Sequence, residues 1–286
     1  MRQSLTIFLL AYERFSEDDG WAISSHIALS ILTSMFPFLI FLTSLAGFFG
    51  SKELADQATA LLFAAWPQQV AAPISAEIHN VLTQSRGGLL TIGVVLAIYF
   101  SSSAVEALRI GLNRAYNMRD QRPWWWLRLE SIAYVLVGAI ALLALGFLVV
   151  LAPLIWNALV ALVPELASQY RQVTVLRYLV TAVVLAASLT IAHKFLAAGR
   201  RKFRLIWPGV ALTFIMSLVF AEVFAGYLAE FSSNYITTYA GLASVMVALV
   251  FLYTLAAIFV FGAELNAVLM GRRKRADNLR ARGRRA

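Results

Sequence analysis

Apolar residues in this chain come in long blocks set off by short polar stretches. Six blocks stand out, at roughly 26–49, 88–105, 131–152, 175–197, 208–230 and 241–269. Each approaches the ~20 residues that a helix needs to cross a bilayer. The second is short before Glu106 and continues as a helix into polar surroundings, and the last is long enough to tilt or to extend past the bilayer. Pro208, directly after Trp207, suits the first turn of the fifth helix. Ahead of the first block, Leu5, Phe8, Leu9, Tyr12 and Phe15 recur at helical spacing. They predict a short amphipathic helix, lying on the membrane surface or packed on the protein's own cytoplasmic face. This stretch does not read as a cleavable signal, because "ERFSEDDG" follows "LTIFLLAY" where small residues would be needed. Between the first two blocks, residues 50–87 carry two apolar stripes. One runs Leu54, Ala58, Leu61, Leu62, Ala65; the other runs Ile74, Ile78, Val81, Leu82, with Pro67 and Pro73 between them. Two amphipathic helices in a first external loop fit this pattern, as structural cover or as a gate.

Composition sharpens the class. Of 286 residues, 60% are hydrophobic and 14% charged, where a soluble protein holds roughly half and a quarter. The expected fold is an all-α integral membrane protein, one membrane domain over 1–286 with a basic tail at 271–286. There is no cysteine, which excludes disulfides and thiolate chemistry. Lys and Arg set the orientation: with six spans, alternate sides hold 20 and 4 of the 24 basic residues. Basic residues favour the cytoplasmic side, so both termini are placed there. Trp21, Trp124, Trp125, Trp126, Trp156 and Trp207 fall at span edges, where an amphipathic ring prefers to sit, and Trp66 falls in the first external loop.

The second span ends in the stretch "SSSAVEALRIGLNRAYN". At 100° per residue, Ser102, Glu106, Arg109 and Asn113 occupy a band about 60° wide. Such a stripe should face protein or water, since lipid would leave it unsatisfied. With Arg114 it forms a cytoplasmic cleft for an anionic head group, or its arginines are orientation anchors that Glu106 balances. Glu264 and Asn266, in "GAELN", sit near the same end of the last span, and a Glu264–Arg109 contact would neutralise both groups. Glu222 lies deep in the fifth span among aromatic residues, as a proton-coupling carboxyl or as a neutral hydrogen-bonded one. His26, His79 and His193 have no metal-ligand spacing, so no metal or other cofactor is expected. "GRRKFR" and the tail are basic enough for nucleic acid. Because each directly follows a span, anionic lipid is the simpler partner and no nucleic acid is expected. Gly138, Ala141, Leu142 and Gly146 permit close helix packing without demanding it, which leaves the oligomeric state open.

Several pieces occur in order along nearly the whole chain: "FSEDDGWAISSHIALSILTSMFPFLIF", "SSSAVEALRIGLNRAYN" followed by "RDQRPWW", "WPG", "YAGLASVMVALVFLYTLAAIFVFGAELN" and a basic tail. In these the chain resembles the YihY/BrkB family of bacterial inner-membrane proteins. The resemblance implies a six-helix membrane fold in the bacterial cytoplasmic membrane. Members often carry the label ribonuclease BN. That label does not suit this sequence, which lacks the clustered His and Asp ligands of zinc-dependent nucleases.

Two functions of different class follow. The first is a transporter or flippase-like protein for a lipid or other anionic, amphiphilic envelope substrate. It would use Ser102, Glu106, Arg109, Asn113, Arg114, Glu264 and Asn266 as a polar cleft and Glu222 for proton coupling. The second is a non-transporting scaffold or envelope-assembly factor. An intramembrane enzyme ranks last, as no nucleophile–base pair can be named.

Overall fold

The structure, a computed structural model, describes residues 2–48, 87–199, 201–239 and 243–283. The expected external helices at 50–87, with Trp66 and His79, lie outside the described residues, as do the side chains of the basic tail beyond Gly271. Among the described residues all regular structure is helical. The α-helices are α1 (Arg2–Glu17), α2 (Gly20–Phe48), α3 (Gly87–Ala115), α4 (Trp124–Gly146), α5 (Ala152–Leu162), α6 (Tyr170–Ile191), α7 (Phe203–Tyr239) and α8 (Ala243–Gly283). Five segments are long and apolar enough to cross a membrane: Thr91–Ala115, Trp124–Val149, Glu165–Leu196, Phe203–Glu230 and Val245–Gly271. They coincide with the second to sixth apolar blocks. α2 carries the first block and runs 29 residues, which at 1.5 Å per residue is about 43 Å of helix.

Two of these helices depart from plain α geometry. Phe147–Leu151 forms a π turn, closed by the Ala152 N–H donating to Phe147 O. Pro153 explains it: the ring has no N–H and crowds the carbonyl four residues back, so the helix widens ahead of it. A second π turn, Ala192–Leu196, ends α6. Pro208 is not in a first turn. The helix already starts at Phe203, so the proline lies inside α7. The start is set upstream by a tight turn in which Leu205 N–H donates to Lys202 O (2.9 Å).

The chain divides into two compact units. Unit 1 comprises Met1–Asp18, Leu112–Met216 and Phe261–Ala286; unit 2 comprises Asp19–Gly111 and Ser217–Val260. In unit 1, α1 lays Ala11 on Leu265 and Val268 of α8, and its buried Phe15 ring stands edge-on to Phe261 at 6.0 Å. The reading of α1 as packed on the protein therefore holds for that face. Leu5, Leu9 and Tyr12 of the same helix stay exposed. A second contact in unit 1 joins α7 and α8. A Cβ placed on Gly209 would overlap the Gly262 carbonyl oxygen, and one on Gly262 would overlap Thr213 Oγ1 and meet Gly209 O at 2.8 Å. Only glycine lets the two backbones come this close. Gly138 and Gly146, by contrast, have open space where a Cβ would stand. Trp124, Trp125, Trp126 and Trp207 are exposed near helix ends, as interfacial rings should be.

Unit 2 is built on small and branched residues. Gly111 of α3 sits under Ile23 and Ile27 of α2 and Val260 of α8, the nearest methyl 2.9 Å from a hypothetical Cβ. Trp21 stacks on Tyr253 at 6.3 Å, and Phe251 lies between Phe220 and Phe224 at 5.7 and 5.4 Å. Hydroxyls on these helices turn back to their own carbonyls: Ser24 donates to Gly20 O (2.6 Å) and Ser34 to Ile31 O (2.7 Å). This satisfies a polar side chain without help from water, as a bilayer requires.

Candidate functional site

The polar stripe of α3 begins in unit 2. Ser102 is buried and donates to Tyr99 O at 2.8 Å. Arg109 is 2% exposed, its Nη2 3.6 Å from Glu106 Oε1 one turn earlier. Ser102 and Arg109 of the stripe are thus buried, while the Glu106 side chain stays a third exposed. Glu222, also in unit 2, is exposed on α7 beside exposed Val219 and Val223.

The richest polar geometry lies within unit 1, where the end of α3 meets Ala198, Gly199 and Arg201, the start of α7 and the part of α8 around Asn266. Asn113 Oδ1 accepts the Ala198 N–H at 2.7 Å. Its Nδ2 reaches Asp120 at 3.5 Å. Asp120 in turn holds Arg122 (2.6 and 2.8 Å), and Arg122 bridges on to Glu130 at 2.7 Å. The Arg122 hydrogen bonds hold the Asp120 carboxyl below the usual range and raise the guanidinium's own value. Asn113 is therefore a strut between loops, and Arg114 is exposed.

Asn266, fully buried, works on two sides. Its Oδ1 accepts the Gly209 N–H at 2.7 Å, and its Nδ2 donates to the Tyr116 hydroxyl at 3.2 Å. Tyr116 Oη also shares a hydrogen bond of 3.2 Å with His193 Nδ1, whose direction is set by the imidazole tautomer. Above the Tyr116 ring stands Arg201, its Cζ 4.0 Å from the centroid, with Nη2 donating to Ala198 O at 2.6 Å. Burial lowers the Arg201 value. Gly199, at φ +86°, turns this loop, and Met118 packs where its Cβ would be.

Burial pushes the Tyr116 phenol up to about 12, with the Glu264 charge adding to the rise and the Asn266 hydrogen bond and Arg201 opposing it. The unfolded value is about 10. A raised folded value means that this contribution to stability is complete below pH ~10 and is lost as pH climbs toward ~12. Alkaline unfolding in detergent should therefore steepen across that window. Tyr116→Phe should remove the step, and its phenolate difference spectrum should assign the late-titrating ring. A wild-type and Phe variant with superposable alkaline limbs would refute this.

Glu264 is buried, and among the described residues neither carboxylate oxygen has a partner at hydrogen-bond geometry. Arg14 of α1 approaches with Nε at 3.6 Å, and Asp18 faces the same carboxyl. The Glu264–Arg109 pairing that the sequence suggested would join the two units and is not described here; within unit 1 Glu264 lies near Arg14, and within unit 2 Arg109 lies near Glu106. Sequence reasoning singled out Asn113, Glu264 and Asn266 but missed Tyr116, His193, Arg201 and Arg14. Tyr116 stood inside the quoted stretch, and a polar aromatic at a span end was the available signal.

Apolar helices of spanning length with buried polar side chains inside them make this a multi-pass helical membrane protein. Comparison with known proteins names its relatives. The family model for virulence factor BrkB matches residues 11–286, and the chain belongs to that family. It is 24% identical over 266 residues to YfkH of Bacillus subtilis (strain 168), whose name describes it as ribonuclease-like, covering 93% of this chain and 96% of that one. It is 26% identical over 270 residues to the UPF0761 membrane protein RC1_0578 of Rhodospirillum centenum, covering 91% of this chain and 56% of that longer protein. No solved structure matches the chain.

Proposed function

We propose that this protein is a transporter or flippase-like carrier for a lipid or other anionic, amphiphilic envelope substrate in a bacterial cytoplasmic membrane. The observation that carries the reading is Glu264. A carboxyl group inside a spanning helix, buried, with no hydrogen bond to either oxygen among the described residues and Arg14 Nε no nearer than 3.6 Å, is costly to keep. Ionisable groups held at such cost in membranes commonly serve ion or substrate movement. Glu264 is then the coupling carboxyl, with Glu222 a second candidate on unit 2. The basic bias of one side supplies attraction for anionic head groups there. The reading includes no catalytic step, and the ribonuclease-like name of the relative is not carried over.

A specific observation favours a second reading, a scaffold. Asn113, Asn266 and Arg122 are closed by internal partners. One assay separates the two. The purified chain is reconstituted in vesicles with fluorescent anionic and zwitterionic lipids, and flipping is compared between wild type, Glu264→Gln, Glu222→Gln and Arg109→Ala. The transporter should flip the anionic probe and lose at least ~10-fold in rate with Glu264→Gln, about 1.4 kcal/mol of barrier. Folded wild type that flips neither probe would shift the assignment to the scaffold.

A further inference from the structure

A cavity of about 220 Å³ opens in unit 1 between the π turn and α5 on one side and α6 on the other. Leu148, Pro153 and Trp156 line one wall; Tyr170, Val173 and Arg177 line the other. It exists because Pro153 forces the helix to widen into the π turn, a geometry that recurs at functional sites. We infer that this cavity is a phospholipid site, taking a segment of one acyl chain between Pro153 and Val173 with the anionic phosphate on Arg177.

Three features select that ligand. The walls are almost wholly aliphatic or aromatic, so water is a poor occupant and a hydrocarbon a good one. The volume falls below the ~300–1,000 Å³ that encloses a drug-sized molecule, so it takes a stretch of chain and leaves the rest of the ligand outside. The rim then supplies a cation unused by the protein. Arg177 has no carboxylate partner among the described residues; its guanidinium rests near the Tyr178 ring, 4.9 Å from the centroid. A cation beside an apolar slot matches a phosphodiester attached to a hydrocarbon chain. By the distribution of basic residues this end of the helices faces away from the cytoplasm, which makes the ligand an outer-leaflet lipid.

The site deepens the transport reading, on which it rests for its role but not for its occupancy. The test is lipid retention by the purified full chain, read by native mass spectrometry. Phosphatidylglycerol and phosphatidylcholine with the same chains are the probes. Wild type should retain phosphatidylglycerol in preference. Val173→Phe, which fills the slot, should lower retention at least ~10-fold, and Arg177→Gln should abolish the preference while leaving chain occupancy. Should Val173→Phe fail to fold, Thr174→Leu, on the same wall, replaces it. Wild-type retention in a folded, filled variant, or an unchanged preference in Arg177→Gln, overturns the site. Specific retention with no flipping by the same preparation would keep the site and remove transport; flipping without retention would do the reverse.

Discussion

Gly209→Ala should destabilise the protein by about 3 kcal/mol, near the upper end of overpacking costs. The single added methyl group has no place to go. Its Cβ would overlap the Gly262 carbonyl oxygen and the Asn266 amide. One of those atoms is backbone, which cannot swing aside, and the other is hydrogen-bonded on both of its ends. Relief needs α7 and α8 to separate, which breaks the Asn266 contacts and leaves buried polar groups unpaired, at ~1–3 kcal/mol each. Gly262→Ala should behave alike, since its Cβ would overlap Thr213 Oγ1. Gly138→Ala is the control: nothing lies within 4 Å of the new methyl. There, alanine should gain roughly 0.5–1 kcal/mol of helix stability. Melting in detergent should register the contrast as a fall of roughly 6–12 °C for Gly209→Ala against a small rise for Gly138→Ala. Equal melting of the two variants would refute the close crossing.

Much of this architecture was legible in the chain because a bilayer imposes simple rules. Apolar block length marked the second to sixth long apolar helices, and Trp124, Trp125, Trp126 and Trp207 marked helix starts, while Trp156 lies inside α5. Periodicity alone placed Ser102 and Arg109 on a face that avoids lipid, and both are buried. What stayed hidden depends on distant pairings. Asn266 meets Tyr116 across 150 residues, and Tyr116 meets His193 across 77. No local pattern encodes those meetings. The glycine crossing was half visible: "WPG" and "FGAELN" each hold a glycine beside groups already noted, but nothing in the sequence sets their register. The π turn had a local cause in Pro153, and there the sequence carried a usable signal. The misplaced Pro208 shows the converse, since a favoured first-turn residue is also tolerated deeper in a helix when neighbouring groups re-satisfy the backbone.

The second large effect concerns Arg14 and Glu264, and its sign depends on which partner is removed. Arg14→Gln removes the cation that approaches the buried Glu264 carboxyl, which also faces Asp18. Removing one partner of a buried pair costs up to ~3–5 kcal/mol. The Arg14 side chain is 35% exposed, so water recovers part of this and about 2 kcal/mol is the expected loss. Glu264→Gln removes the charge that burial penalises. Arg14, partly in solvent, loses little, so this variant should lie within ~1 kcal/mol of wild type. The double variant should recover most of the Arg14→Gln loss, because the uncompensated carboxylate is then absent. Unfolding of all four proteins in mixed micelles measures this cycle. Additive losses would show that the two side chains act independently and that α1 is held by apolar contacts such as those of Ala11 and Phe15. A recovered double variant would show that α1 is tied to α8 through charge. The same Glu264→Gln substitution would then be a clean probe for transport, since a lost rate in a protein of unchanged stability reports on the carboxyl's work and not on the fold.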